Sequence, residues 1–171
     1  MVDLTRKPSA KHFTEHVQIA GMRSHLAPAG FIILAKKFHA AACLGYDHRQ
    51  VEARWMPVEK FLACRAIELG LKSFLSLKGR ELSKLAGGVY GHDLNNLLLQ
   101  ADVDGLADMV DLSAQERSAI EQANRYYFEK VFEYPAIGEA VVAYPLDPPF
   151  GPLCDAGRRF IEGLYDVCLQ Q

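Results

Sequence analysis

Residues 61–99 read FLACRAIELGLKSFLSLKGRELSKLAGGVYGHDLNNLLL: a long apolar-periodic segment, a glycine-broken loop, and a second apolar segment opening at Gly91-His92-Asp93-Leu94. Phe61, Cys64, Leu71 and Leu75 fall near one stripe, and Leu62, Leu69 and Phe74 widen it. Apolar groups thus recur every three to four residues, the spacing of a helix with one broad buried face. Lys78-Gly79 predicts its end, because glycine takes the left-handed conformation that closes helices and lysine suits the negative helix terminus. Glu68 precedes Lys72 by one turn in the favourable orientation, a pair that contributes only about 0.2–0.5 kcal/mol when exposed and whose meaning changes with burial or a third partner. The next helix is expected from His92 to about Ala101, with Leu94, Leu97 and Leu98 facing the core.

On the N-terminal side, Pro8-Ser9 starts a first helix that runs to about Leu26. Pro28 sits in the first turn of a second, where Phe31, Leu34, Ala35 and Phe38 recur until Gly45. Tyr46 to Met56 reads as a connection, with Trp55 as a staple onto a helix whose first turn holds Pro57. On the C-terminal side, Glu81 to Leu85 makes a short helical piece. Ser113 with Glu116 three residues on forms a capping box that opens a helix to about Phe132. Residues 135–152 carry Pro135, Gly138, Pro145, Pro148, Pro149, Gly151 and Pro152 and make the one long irregular segment, in which Val141 to Tyr144 suits either a short strand or an extended strap. A closing helix from about Pro152 to Leu169 places Phe160, Leu164 and Val167 on one side.

A chain of 171 residues that is 50% hydrophobic fits one domain, residues 1–171, with a substantial core. With 19 basic and 21 acidic side chains there is no global positive field to gather nucleic acid, and no DNA-binding signal. The richest early apolar run, Phe31 to Ala35, meets Lys36 and Lys37 at once, so no membrane span is expected. The N-terminus lacks the apolar core of a secretory signal, which points to a cytoplasmic protein. Cys43, Cys64, Cys154 and Cys168 are widely spaced without a Cys-x-x-Cys pair and are expected as reduced, buried thiols.

The Ala66-Ile67-Glu68-Leu69-x-Leu71-Lys72 run, the Leu75-x-x-Lys78-Gly79 that follows, and Tyr90-Gly91-His92-Asp93-Leu94 resemble the HEPN-domain group of helical bundles over about forty contiguous residues. A weaker echo lies at Asn124-Arg125-Tyr126-Tyr127 and Phe132-Glu133-Tyr134-Pro135, where Glu133 replaces the Arg of similar domains. The resemblance implies an all-α, up-and-down bundle of four main helices with one or two accessory helices, working as a homodimer. Its implied role is non-catalytic binding of a protein partner or RNA, in a bacterial defence, toxin–antitoxin or nucleotide-linked system. The alternatives are a metal-independent ribonuclease with a divergent site and a small-molecule-binding helical protein.

The chemistry-bearing residues divide along the same lines. His92, at a helix entry beside glycines, can meet an anion; its structural role is to donate a hydrogen bond to Glu68, which would make Glu68, Lys72, His92 and Asp93 one polar cluster. Catalytic HEPN domains resemble ribonucleases that need an Arg and a His four to six residues apart on a late helix. Here only Arg6 and His12 have that spacing, across Pro8, and no histidine follows His92. The catalytic candidates left to a ribonuclease are therefore His92, Arg65 and Arg125, one imidazole to move a proton and fixed cations for phosphate. His12 and His16 share a helix face but lack the Glu of a zinc hydrolase pattern, so no metal and no cofactor is expected. Gly87-Gly88-Val89-Tyr90-Gly91 lacks the Gly-Lys-Ser/Thr of a phosphate loop and reads as a turn.

Overall fold

The computed structural model describes residues 28–48, 57–81, 84–85, 90–133 and 147–170. Among these residues the chain is all-α, with no strand. The helices are α1 (Ala29–Asp47), α2 (Pro57–Leu77), α3 (Leu94–Val103), α4 (Ala114–Phe128) and α5 (Phe150–Leu169), and a single 3₁₀ turn, Leu106–Asp108, joins α3 to α4. The helix expected over Pro8 to Leu26, its His12 and His16, the Trp55 staple and the Val141–Tyr144 stretch all lie outside the described residues.

The central element is α2, which packs against α1, α3, α4 and α5. Its burial is unbroken from Ala66 to Leu75. The broad stripe expected from sequence is therefore too narrow: this stretch is enclosed all round, and Glu68, Lys72 and Ser73 are enclosed with it. The helix ends where Lys78-Gly79 predicts. Gly79 has φ +84°, and the Arg80 N–H donates back to the Leu75 carbonyl at 3.0 Å, closing the last turn.

α1 runs two residues past the expected end at Gly45, taking Tyr46 and Asp47 from the expected connection, and three further boundaries differ from expectation for local reasons. α3 begins at Leu94 because Asp93 is its cap, accepting from the Asn95 and Asn96 N–H groups at 3.0 and 3.1 Å, which leaves His92 ahead of the helix. α4 opens on the full Ser113–Glu116 capping box but stops at Phe128, short of Phe132. Lys130 turns left-handed at φ 61°, the Val131 N–H returns to the Tyr126 carbonyl at 2.8 Å, and Phe132 stacks on Tyr126 with ring centroids 5.6 Å apart. α5 starts at Phe150, so the irregular segment ends before Pro152. On its last turn the buried residue is Cys168, against Ser73 Oγ at 3.2 Å, whereas Val167 is 40% exposed.

Close backbone approach is set by two glycines, the buried Gly70 and the half-buried Gly163. A Cβ on Gly70 of α2 would lie 2.7 Å from Cβ of Phe160 on α5, and one on Gly163 of α5 would lie 2.3 Å from the Met109 carbonyl oxygen. Two bidentate clamps brace the other side. Arg80 holds Asp104 at 2.9 and 2.6 Å, and Arg117 holds Asp102 at 2.7 and 2.9 Å, tying the end of α2 and the start of α4 to the end of α3.

Candidate functional site

Glu68 lies in the middle of α2 with its side chain 0% exposed. A carboxylate so placed needs several donors to remain charged. Lys72, one turn on, reaches Oε1 at 2.6 Å, and Arg65, one turn back, reaches Oε1 and Oε2 at 2.9 and 2.8 Å. The Tyr127 hydroxyl of α4 donates to Oε2. His92 brings Nδ1 to 3.1 Å of the same oxygen from the turn before α3. Three elements thus converge on one buried carboxylate, and the Tyr127 ring fills the space between, edge-on to His92 at 6.1 Å and tilted against Phe61 at 5.8 Å.

The electrostatics follow from these contacts. Burial opposes ionisation of Glu68, but hydrogen bonds from Lys72 and Tyr127 and the charges of Lys72 and Arg65 outweigh it and hold the carboxyl below its usual range. Burial first, and then the Glu68 charge, push the Tyr127 phenol far up, so it stays a donor. Exposure grades outward from this centre: Lys72 is buried, Arg65 is 30% exposed and His92 is 52% exposed. In a neutral imidazole, an Nδ1–H donated to Glu68 leaves the lone pair on the other ring nitrogen. The Arg65 guanidinium lies beside the ring, 3.4 Å from Nδ1.

Of the residues singled out in sequence, Glu68, Lys72 and His92 meet directly. Asp93 serves the neighbouring helix entry and also accepts from Asn124 Nδ2 at 3.1 Å. The Asn124 side-chain oxygen Oδ1 in turn accepts from the Leu94 N–H at 2.7 Å, so the first N–H groups of α3 are taken up internally and are not offered to an anion. Arg65 joins the cluster. Arg125 does not: it is exposed on α4, while Tyr127 two residues on turns inward. Tyr127 is the member that sequence reasoning missed as a ligand of Glu68. Its inward placement is legible from the helix period, but its partner, 59 residues away, is not.

A second cluster joins α1 to α5. His39 and Cys43, one turn apart, face Cys154: the two sulfurs are 2.6 Å apart, and His39 Nε2 is 3.4 Å from Cys154 Sγ and 3.7 Å from Cys43 Sγ. All three residues are partly buried. The uniform expectation of buried thiols therefore fails here, holding for Cys64 and Cys168 but not for Cys43 and Cys154. The His39-x-x-x-Cys43 spacing was available in sequence; its third member, 111 residues beyond Cys43, was not. No helix among the described residues is long and apolar enough to cross a membrane. Comparison with protein-family models, with curated proteins and with solved structures gives no match to this chain.

Proposed function

We propose that this chain is a HEPN-like helical bundle acting as a non-catalytic binding module, with the Glu68 cluster as the anchor that fixes its binding-competent shape. The observation that supports this reading most is the full engagement of Glu68. Lys72, Arg65, Tyr127 and His92 all donate to it, so the carboxylate has no capacity left to act as a base on a substrate. The residues that carry the family resemblance, Glu68 and Lys72 on α2 and His92-Asp93 before α3, are also those that join these elements. Binding as a homodimer to a protein or RNA partner belongs to the same proposal.

A ribonuclease reading is favoured by one specific feature. A carboxylate that orients an imidazole through Nδ1 leaves Nε2 as a proton acceptor, and Arg65 stands beside it as a fixed cation for phosphate. The deciding experiment incubates the purified chain with a mixed pool of structured and single-stranded RNAs in the presence of chelator, next to His92→Ala checked for helical content. The binding-module reading expects intact RNA from both proteins. Cleavage by the wild type that is lost in His92→Ala would replace it with the ribonuclease.

A further inference from the structure

We infer that His39, Cys43 and Cys154 form a binding site for a single thiophilic d¹⁰ divalent cation, of which Zn²⁺ is the type, bridging α1 and α5. The donor set is two thiolate sulfurs and one imidazole nitrogen, the ligands such ions take. With metal–sulfur bonds of about 2.3 Å and metal–nitrogen bonds of about 2.0–2.1 Å, a tetrahedral site places nitrogen and sulfur roughly 3.6 Å apart and two sulfurs roughly 3.8 Å apart. The observed nitrogen–sulfur separations, 3.4 and 3.7 Å, bracket the first value. The sulfurs, at 2.6 Å, crowd each other, and a cation between them requires them to open by about 1.2 Å, within reach of a side-chain rotation of two partly buried thiols.

The imidazole has been given room. Gly157 of α5 faces the His39 ring, and a Cβ there would lie 3.0 Å from Cδ2, so a larger residue would press on the ring that aims Nε2 at the sulfurs. His39 Nε2–H donates to the Cys154 backbone carbonyl at 2.9 Å. Coordination exchanges this bond for a metal–nitrogen bond, with the ring proton on Nδ1. The balance of the step is one cation bound and two thiol protons released to solvent. The three partly buried donors leave a fourth position for water or for a side chain of a partner.

The test is titration of the full, phosphine-reduced chain with Co²⁺ and then Zn²⁺. The expected result is one Co²⁺ per chain, a sulfur-to-cobalt charge-transfer band with intense tetrahedral ligand-field bands, bleaching by one equivalent of Zn²⁺, and release of two protons. Cys43→Ser and Cys154→Ser should each weaken Zn²⁺ binding by more than about 100-fold, beyond the effect of changing an outer-shell partner, whereas Cys64→Ala should leave it intact. Because a serine variant can misfold, thiol alkylation of the wild type followed by peptide mass provides a second reading, with Zn²⁺ protecting Cys43 and Cys154 together. Three results overturn the site: no stoichiometric Co²⁺ spectrum, Zn²⁺ that leaves both thiols open to alkylation, or a pair that loses two hydrogens to glutathione disulfide as a Cys43–Cys154 bond whether or not Zn²⁺ is present.

Discussion

At the scale of the residue, Glu68 decides the stability of the cluster and Tyr127 reports on it. A buried carboxylate is maintained by its donors, so removing the acid and removing a donor have different consequences. Glu68→Ala leaves the Lys72 ammonium buried without its carboxylate and Tyr127 without its acceptor, and it should cost about 3–5 kcal/mol of folding free energy, the usual penalty for orphaning a buried charge. Tyr127→Phe keeps the ring that packs on Phe61 and deletes one hydrogen bond to a charged group, so it should cost about 1.5–3 kcal/mol. Urea unfolding of both variants checks the ranking; equal losses would mean that Glu68 is held by packing and not by its donors. His92→Ala should cost less than either, because its ring is half exposed and a water can take its place at Glu68.

The scale of the element shows which signals in the sequence act locally and which need the assembled fold. Gly79 ends α2 and Ser113 starts α4 through contacts within a few residues of the chain, and both are legible from residue type alone. Ser113→Ala should therefore lower stability by about 0.5–2 kcal/mol, and Ser113→Asp, which keeps the acceptor, should recover most of it in thermal or urea unfolding. The end of α4 was not legible, because Lys130 adopts a left-handed conformation that its residue type does not announce, held by the return of Phe132 onto Tyr126. The all-round burial of Ala66 to Leu75 was hidden for the same kind of reason. Glu68, Lys72 and Ser73 interrupt the apolar pattern, and only the partners supplied by other elements make their burial tolerable. The crossing of α2 on α5 is equally tertiary: Gly70 admits Phe160 at a distance no Cβ allows. Gly70→Ala should destabilise by about 1–3 kcal/mol through overpacking, even though alanine is the better helix former. A neutral or stabilised Gly70→Ala in urea unfolding would show that the two helices can separate at no cost.

For the whole molecule, the Glu68 cluster makes stability depend on acid in a definite direction. The carboxyl sits below its ordinary value of 4.5 in the folded chain, since the Lys72 and Tyr127 hydrogen bonds and the Lys72 and Arg65 charges outweigh burial, and it returns to that value on unfolding. The folded state therefore binds fewer protons than the unfolded state in this range. Its contribution is complete above about pH 4.5 and is lost as pH falls through the depressed folded value. Asp104, lowered chiefly by its hydrogen bond from Arg80, acts with the same sign, but its partner Arg80 is 42% exposed and the pair is partly screened. Tyr127 closes the other limb: its folded value lies above the ordinary 10.0, so its contribution is present below that pH and is lost as pH rises through the folded value. Urea midpoints should accordingly form a plateau from about pH 5 to about pH 9 and fall on both sides. Glu68 touches α2, α4 and the turn before α3 at once, so its protonation loosens the bundle as a unit and the acid limb should be a single cooperative transition. Glu68→Gln, already neutral, should start from a lower plateau and lose most of the acid slope, whereas Asp104→Asn should lose a smaller part of both. An acid limb as steep in Glu68→Gln as in the wild type would place the acid sensitivity in other carboxylates and remove Glu68 from the centre of the fold's electrostatics.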